Sequence, residues 1–253
     1  MKQRVLVTAG ASGIGREIVR AFCTSEARVF VCDIDKAALE ALRNEIPSVM
    51  TGVCDIGSQT SIEQMICECA LALGGIDVLV NNAGISGPTA PVEEVDPAQW
   101  EKVLAVDLTG TFNVTRLAIP HLKKSSAGVI INMSSVAGRF GYANRSPYCT
   151  AKWGLVGFTK TLSIELGDYG VRANAILPGA VDGPRIQKVF EGRATVSGKT
   201  LDEVRHEAMA VQSLKRLVDP KDIAALAVFL ASDSAKSISG QILPIDNDMQ
   251  QAS

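Results

Sequence analysis

The first 33 residues limit the folds open to this chain more than any other segment. Arg4–Thr8 is a short run rich in β-branched residues, and three glycines follow within residues 9–15. Apolar side chains then recur at helical spacing over residues 17–22, so a strand, a glycine turn and a helix are predicted in that order. Such a turn lets the backbone approach a pyrophosphate, whose charge lies at the N-terminus of the helix.

A second predicted strand, Arg28–Asp33, ends in an acidic residue 20 positions after Gly13. At that place a carboxylate accepts hydrogen bonds from an adenosine ribose diol and repels a 2′-phosphate. The nearest cations in the sequence are Arg16 and Lys36. Asp33 therefore predicts NAD as cofactor, with NADP disfavoured. A glycine turn without a ligand is the alternative, since the spacing is G-x-x-G-x-G and not the commoner G-x-G-x-x-G.

Strand-like and helix-like segments alternate along the whole chain. The strand-like segments are residues 5–8, 28–33, 49–54, 78–81, 129–133, 172–176 and 242–245, and the helical ones include 61–73, 98–124, 147–166 and 220–231. This alternation predicts a single-domain, Rossmann-type α/β fold over residues 1–253, a doubly wound parallel sheet with helices on both faces. A ligand would bind beyond the carboxyl ends of the strands, where their order reverses.

Composition excludes several other classes of protein. The chain is 47% hydrophobic with a net charge of −2, which suits one large core and argues against a nucleic-acid partner. No apolar run approaches the ~18 residues of a membrane span, and the first strand leaves no room for a signal peptide. The six scattered cysteines are interpreted as free thiols in a reducing cytoplasm. Cys67 and Cys69, with His121 and His206 elsewhere, are too sparse to predict a metal site.

Tyr148 and Lys152 carry the clearest chemical signal. Residues four apart share one face of a helix, so the ammonium of Lys152 is held beside the phenol of Tyr148. A fixed positive charge favours the ionised phenol, which can then exchange a proton with an alcohol or a carbonyl. Ser135, 13 residues upstream of Tyr148, supplies a hydroxyl donor. The pattern Y-x-x-x-K is common by chance, so it needs support from the rest of the chain.

Several further motifs give that support, and with them the chain resembles the NAD(P)-dependent short-chain dehydrogenase/reductase family along almost its full length. The matching positions are Thr8 to Gly15 with Ala9 in place of the first glycine, Asp55, the turn Asn81, Asn82, Ala83 and Gly84, then Ser135, Tyr148 and Lys152, and finally Pro178 and Gly179. The resemblance implies reversible oxidation of a secondary alcohol. In it Tyr148 is the acid/base, Lys152 also holds the nicotinamide ribose, and Ser135 donates to the reacting oxygen.

The resemblance also implies cofactor contacts and an assembly. The expected cofactor-binding positions are Gly10, Ser12, Gly13, Ile14, Gly15, Asp33, Ile34, Asp55, Ile56, Asn82, Ala83, Gly84, Tyr148, Lys152, Pro178, Gly179 and Val181. Members of the family usually form tetramers through the helices equivalent to residues 98–124 and 147–166, so a homotetramer is expected.

Besides Ala9, the chain departs from the family pattern in three further places. Asp107 replaces the Asn of the catalytic tetrad; it is expected to act in catalysis and to alter the electrostatics around Lys152. A polar helix residue turned to solvent is the alternative interpretation of Asp107. Gly183 stands where the family has a Thr that binds the nicotinamide amide, so backbone groups such as that of Val181 must serve. Near the C-terminus the usual Asp-Gly-Gly is replaced by Asp-Asn-Asp at residues 246–248.

The expected substrate is a small anionic or polyhydroxylated molecule, such as a sugar, sugar acid or hydroxy acid, oxidised to a ketone or lactone. Arg139 and Arg145 lie between Ser135 and Tyr148, and Arg185 opens residues 183–213, the segment that forms the substrate lid in the family. Arginine pairs with carboxylate or phosphate through two parallel hydrogen bonds. Solvated loop arginines remain an alternative, as do a plain surface insertion at 183–213, an NADPH-dependent 3-ketoacyl-type ketoreductase and a non-catalytic nucleotide sensor.

Overall fold

The strands of the protein, seen in a computed structural model that describes residues 2–251, form one parallel sheet. They are β1 (Arg4–Thr8), β2 (Arg28–Asp33), β3 (Met50–Val53), β4 (Val78–Asn81), β5 (Val129–Met133), β6 (Arg172–Pro178) and β7 (Ile242–Ile245). Their order is β3-β2-β1-β4-β5-β6-β7, with Val5 of β1 opposite both Val29 and Val78. The order therefore reverses between β1 and β4, which opens a crevice at the carboxyl ends of these two strands.

Helices cover both faces of the sheet. They are α1 (Gly13–Thr24), α2 (Lys36–Glu45), α3 (Gln59–Leu73), α4 (Pro97–Leu104), α5 (Thr111–Leu122), α6 (Ser146–Glu165), α7 (Pro184–Ser197), α8 (Leu201–Ala210) and α9 (Pro220–Ala231). One core packs Phe22 of α1 and Leu230 of α9 against the sheet, and a second packs Ile62 of α3 and Leu122 of α5 against the other face. The predicted doubly wound α/β fold is confirmed. Met1, Ala252 and Ser253, which the predicted domain includes, lie outside the described residues.

The predicted helix at residues 98–124 is divided. Between α4 and α5, residues Ala105–Gly110 form a π-helical segment. Segments of this kind often occur at functional sites, because the extra residue in the turn redirects a side chain. Here the segment carries Asp107, whose side chain is buried.

Residues 183–213 contain two helices that the sequence analysis did not predict. Pro184 is the first residue of α7, and Gly198, with φ of +70°, ends it. α8 begins with a capping box in which Thr200 and Glu203 satisfy each other's backbone N–H groups. The two helices pack on a small core of their own around Phe190, Val204 and Ala208.

The departures from the family's glycine pattern share one backbone conformation. Ala9, Asn247 and Asp248 have φ angles of 49°, 59° and 57°, in the left-handed region that glycine usually occupies. Asn and Asp enter this region more easily than other residues with a side chain, whereas for Ala9 it costs about 1–2 kcal/mol.

All six cysteines are free; Cys67 is exposed, whereas Cys32, Cys54, Cys69 and Cys149 are buried. Among residues 2–251 no three or more His, Cys, Asp or Glu side chains are grouped so that they could hold a metal ion. No helix within the described range is both long enough and apolar enough to cross a membrane.

An ion pair ties β1 to the segment before β4. The Arg4 guanidinium donates to both carboxylate oxygens of Asp77, through Nε at 2.9 Å and Nη2 at 2.6 Å. Burial opposes ionisation of Asp77, but hydrogen bonds from Arg4 and Ser125 outweigh it and hold the pKa of this carboxyl below its ordinary value. A depressed folded-state pKa contributes stability that is present above the unfolded pKa and lost as the pH falls through the folded one.

Replacing Asp77 by Asn should therefore destabilise the protein at pH 7 and flatten its acid sensitivity. Below about pH 4, the ordinary range of an Asp carboxyl, wild type should lose this contribution and approach the variant. Urea midpoints at pH 7, 4 and 3 measure the difference. The exposed Asp168→Asn is the matched control and should follow wild type. Parallel curves for wild type and Asp77→Asn would contradict the expectation.

Candidate active site

The glycine turn after β1 is held against the turn after β4. The Thr8 hydroxyl accepts from the backbone N–H groups of Asn82 and Ala83, each at 3.0 Å. In return the Asn82 side-chain amide donates to the carbonyls of Thr8 and Ala9 at 3.1 and 2.9 Å. A Cβ on Gly15 would lie 2.3 Å from the Ala9 carbonyl oxygen, so only glycine fits there. The sequence analysis did not assign a role to Thr8, although a hydroxyl at a strand end beside a glycine turn is a visible signal.

The N-terminus of α1 is free to receive an anion. Ser12 precedes the helix, and within the described residues its side chain makes no capping hydrogen bond. The first turn contains no acidic residue, so its backbone N–H groups and the positive end of the helix dipole face the crevice. Gly13 has φ of +53°, and a Cβ on Gly10 would lie 2.7 Å from Val31. These features fit the pyrophosphate of a dinucleotide.

Asp33 lies at the edge of this turn. Its carboxylate is buried and accepts from the backbone N–H groups of Ala11 and Asp35, both at 3.1 Å. Arg16, one of the two cations near Asp33 in the sequence, forms an ion pair with Glu45. The Arg16 guanidinium is therefore already paired with a carboxylate of this protein.

The remaining predicted cofactor contacts also lie at the carboxyl ends of strands. Asp55 follows β3 and is exposed, whereas the next residue, Ile56, is buried. Pro178 ends β6, and a Cβ on Gly179 would lie 2.9 Å from the backbone of Asp246, so the chain beyond β7 passes very close. Val181 forms an isolated parallel bridge with Val218.

Tyr148 and Lys152 occupy consecutive turns of α6. Lys152 is 3% exposed, and its ammonium donates to the Met133 carbonyl at 3.2 Å and lies 5.4 Å from the centre of the Tyr148 ring. The Ser134 hydroxyl donates to the Lys152 carbonyl at 2.8 Å and ties the end of β5 to α6. Ser135 follows directly, and its Oγ accepts from the Ala137 N–H at 3.1 Å. That bond uses a lone pair and leaves the hydroxyl hydrogen of Ser135 available to donate.

Asp107 is fully buried beside Lys152. Its Oδ1 accepts from the Ile85 N–H at 2.7 Å, and its Oδ2 lies 3.4 Å from the Lys152 ammonium. A Cβ on Gly84 would lie 3.1 Å from both of these charged groups. The alternative that Asp107 turns to solvent is therefore wrong, because the π-helical segment directs the carboxylate inward.

Four buried polar side chains form a ladder behind these residues. Asn81 of β4 donates to Thr115 of α5 and to Asn132 of β5 at 2.9 and 2.8 Å. Asn132 donates in turn to Thr159 of α6 at 2.9 Å. The ladder fixes α6, and with it Tyr148 and Lys152, relative to the sheet. Sequence analysis missed its role, and the only signal was the presence of Asn and Thr in otherwise apolar elements.

Arg145 is a buried cation next to Tyr148. It is 7% exposed, donates to the Ser86 carbonyl at 2.8 Å, and its guanidinium carbon lies 5.0 Å from the centre of the Tyr148 ring. Burial lowers the pKa of the Arg145 guanidinium, and the charges of Arg185 and Arg193 act in the same direction. For Arg145 the alternative of a solvated loop arginine is wrong.

The other arginines differ in their surroundings. Arg185 is exposed at the start of α7, donates to the Gly84 carbonyl at 3.1 Å and lies 5.8 Å from the centre of the Tyr148 ring. Arg139 is exposed and stacks on the ring of Phe140 at 5.1 Å. The structure thus brings Arg145 and Arg185 to Tyr148 and leaves Arg139 on the surface.

α7 contributes a further cation, Arg193, that the sequence analysis did not single out. Burial lowers the pKa of Arg193, with Tyr142 and Glu207 acting in the opposite direction. Burial raises the pKa of Tyr142 to about 12, and its hydroxyl donates to the sulfur of Met249 at 2.9 Å. The charge of residues 183–213 was the available signal, but it did not distinguish Arg193 from its exposed neighbours.

Known proteins are similar to this chain over most of its length. A family model described as enoyl-(acyl carrier protein) reductase matches residues 8–249. The D-beta-hydroxybutyrate dehydrogenase of Cupriavidus necator is 38% identical over 248 residues, covering 95% of both chains.

Two solved structures superpose closely on the protein. A variant of actinorhodin polyketide ketoreductase with NADPH has a TM-score of 0.92 at 31% identity and covers 97% of this chain and 96% of its own. NAD+-bound xylitol dehydrogenase has a TM-score of 0.92 at 26% identity, with coverage of 96% and 97%. Both of these structures contain a nicotinamide dinucleotide. The chain belongs to the short-chain dehydrogenase/reductase family and is an NAD(P)-dependent alcohol dehydrogenase/reductase.

Proposed function

We propose that the protein is an NAD-dependent dehydrogenase that reversibly oxidises a secondary alcohol of a small substrate to a ketone or lactone. The observation that carries the proposal is the buried Lys152 ammonium beside the Tyr148 phenol, with Ser135 on the adjoining segment. A bound nicotinamide would serve as the hydride acceptor. Tyr148 takes the hydroxyl proton, Lys152 stabilises the phenolate and holds the nicotinamide ribose, and Ser135 donates to the substrate oxygen.

NAD is favoured over NADP by the charges around the adenosine ribose. The Asp33 carboxylate would accept hydrogen bonds from the ribose diol and repel a phosphate there. Arg16 is engaged by Glu45, so it does not offset that repulsion. Lys36 remains the only nearby cation in sequence without such a pairing among residues 2–251.

The substrate class follows from the cations around Tyr148. Arg145 and Arg185 both lie within 6 Å of its ring centre, at 5.0 and 5.8 Å. A guanidinium held next to the acid/base suits a carboxylate or a polyhydroxylated chain. Arg139 stays a predicted contact on the exposed side. The names of the relatives agree with this range, since one acts on hydroxybutyrate and one on xylitol.

Residues 183–213 are proposed to form a lid over the substrate. α7 brings Arg185 towards Tyr148, and Arg193 influences both Arg145 and Tyr142 electrostatically. Closure of such a segment would exclude water from the reacting groups.

Assembly and location are part of the same proposal. A homotetramer built through residues 98–124 and 147–166 is supported by exposed apolar side chains on α5 and α6: Phe112 is 46%, Trp153 51% and Ile164 81% exposed. Contiguous exposed apolar side chains mark interaction surfaces, and Phe112 of α5 lies next to Phe158 of α6, with 6.2 Å between the ring centroids. A cytoplasmic location is proposed as well, in agreement with the free cysteines.

The second candidate is an NADPH-dependent ketoreductase acting on acyl chains. The superposition on a polyketide ketoreductase with NADPH favours it. The buried carboxylate of Asp33 opposes it, because no cation is paired with that carboxylate among the described residues. A non-catalytic nucleotide sensor is opposed by the presence of Ser135, Tyr148 and Lys152 together.

Formation of NADH by the purified protein tests the proposal. Polyols, aldoses and hydroxy acids, including sulfonated ones, are each offered with NAD and with NADP. Turnover of a hydroxy acid with NAD is expected. Turnover of neutral sugars alone would reject the anionic substrate, and a strict NADPH requirement in the reverse direction would favour the ketoreductase. Tight NADH binding without turnover of any substrate would favour the sensor.

Arg185→Ala should raise the KM for an anionic substrate about tenfold while kcat changes little, because a charge-assisted hydrogen bond contributes roughly 1.5–3 kcal/mol. The KM for a neutral polyol should not change. Arg43→Ala, which removes an exposed cation from α2, is the matched control. An unchanged KM for the anion in Arg185→Ala would remove the role of this arginine.

A further inference from the structure

We propose that Asp107 is the buried counter-ion of Lys152 and that its negative charge sets the pH at which Tyr148 gives up its proton. The proposal rests on the proposed function in one respect, the role of Tyr148 as acid/base. In that scheme Asp107 is a positioning residue, because it acts on the reaction through Lys152 and Tyr148.

The contacts of the carboxylate define its role. Asp107 is 0% exposed and Lys152 is 3% exposed, so both charges are removed from water. Oδ1 accepts from the Ile85 N–H at 2.7 Å. No hydrogen-bond donor reaches Oδ2 within residues 2–251, and the Lys152 ammonium at 3.4 Å is its charge partner. A buried carboxylate requires such a partner, since removing it from water is costly.

Among residues 2–251, no charged side chain other than Lys152 lies within ion-pair distance of the Asp107 carboxylate. α6 presents Lys152 and Tyr148, and α5 presents Thr111, whose hydroxyl donates to the Asp107 carbonyl at 3.1 Å. The charged residues of the packed helices α4 and α5, together with the acid that follows β3, are exposed: Glu101, Lys102, Arg116 and Asp55. Arg145 and Arg185 lie around the Tyr148 ring at 5.0 and 5.8 Å from its centre.

Glycine at position 84 allows the pair to form. A Cβ there would lie 3.1 Å from Asp107 Oδ2 and 3.1 Å from Lys152 Nζ, closer than side chains normally approach. The backbone of the turn after β4 therefore passes directly over the ion pair. Its next N–H, that of Ile85, holds the carboxylate in place.

The electrostatic consequence follows from the sum of the two charges. An ammonium alone would act on the phenol with its full positive field. Paired with a carboxylate at 3.4 Å, it forms a dipole whose field at Tyr148 is weaker. An Asn at position 107 would leave the ammonium uncompensated, and Tyr148 would then ionise at a lower pH.

Tyrosinate absorbance measured against pH tests this without any substrate. The chain has three tyrosines. Burial raises the pKa of Tyr142 to about 12, so it titrates late. Subtracting the curve of Tyr148→Phe removes both Tyr142 and Tyr169, and the same subtraction is made in the Asp107→Asn background.

Asp107→Asn should move the midpoint of the Tyr148 curve down by about one pH unit, because removing a nearby negative charge favours the ionised phenol. An unchanged midpoint would overturn the proposal. A midpoint moved upward would overturn it as well, since Asp107 would then serve only to keep Lys152 protonated.

Two further variants guard against trivial results. Asp107→Ser removes the same charge with a smaller side chain and should shift the midpoint in the same direction. It replaces Asp107→Asn in the experiment if that variant does not fold. Glu101→Gln removes an exposed carboxylate from the packed helix α4 and should leave the midpoint in place. If Asp107→Asn shifts the Tyr148 midpoint but the wild-type protein turns over no substrate, the role of Asp107 as counter-ion stands and the proposed function is rejected.

Discussion

Replacing Tyr148 by phenylalanine is expected to lower turnover about 10³-fold or more while NAD binding is kept. A positioned acid/base typically contributes about 10²–10⁴-fold, and phenylalanine cannot exchange a proton. The aromatic ring at position 148 should stay in place, because Lys152 and Arg145 both lie over its face. Single-turnover formation of NADH measures the loss, and calorimetric titration with NAD measures the binding.

Tyr169→Phe provides the control for this change. Tyr169 is 52% exposed and lies under the ammonium of Lys123, away from the crevice. Its variant should turn over like wild type. If Tyr148→Phe kept a substantial rate, the phenol would not be the acid/base, and another group would have to take the substrate proton.

Replacing Asp33 by Ser is expected to shift the NAD/NADP ratio of kcat/KM by about 10²-fold in favour of NADP. The change removes a charge that would lie within hydrogen-bond distance of the ribose, where one unit charge at an effective dielectric of ~20 acts with about 4 kcal/mol. It also removes the acceptor for the Ala11 N–H in the glycine turn, so binding of both cofactors should weaken somewhat. Rates with each cofactor measure both effects.

Asp33→Asn separates the two consequences. An amide removes the charge and keeps one acceptor oxygen, which can take the Ala11 N–H, while the acceptor for the Asp35 N–H is lost. Because the contact with the glycine turn is kept, NADP should improve more than in Asp33→Ser. If Asp33→Ser failed to weaken NAD relative to NADP, the assignment of NAD would be wrong. Another group would then have to offset the negative charge of Asp33 at the ribose, and Lys36 is the exposed cation nearest to it in the sequence.

The sheet could be predicted closely because its strands are short, apolar and separated by regular helices. Residues 28–33 and 129–133 agree with β2 and β5 at both ends, and the predicted helix 220–231 agrees with α9. α7 and α8 were missed because their apolar residues are few and face only a small core. Their ends were nevertheless marked, by Pro184, Gly198 and the capping box at Thr200.

The site could be predicted in part. Cofactor positions follow from strand ends, which the sequence marks with glycine and asparagine turns. The burial of Asp107 and Arg145 could not be predicted, because it depends on a π-helical segment and on a loop that packs from elsewhere in the chain. Long-range hydrogen bonds such as Asn132 to Thr159 have no local pattern at all.

The separate core of α7 and α8 has a consequence for how this protein can change. Phe190, Val204 and Ala208 pack with one another and not with the sheet, so substitutions there leave the two large cores untouched. α7 and α8 could therefore be exchanged for the corresponding helices of a relative with little loss of stability in the sheet and the helices that cover it. In the proposed role of residues 183–213 as a lid, new substrate ranges would evolve by substitutions in this one segment, while Tyr148 and Lys152 on α6 stay as they are.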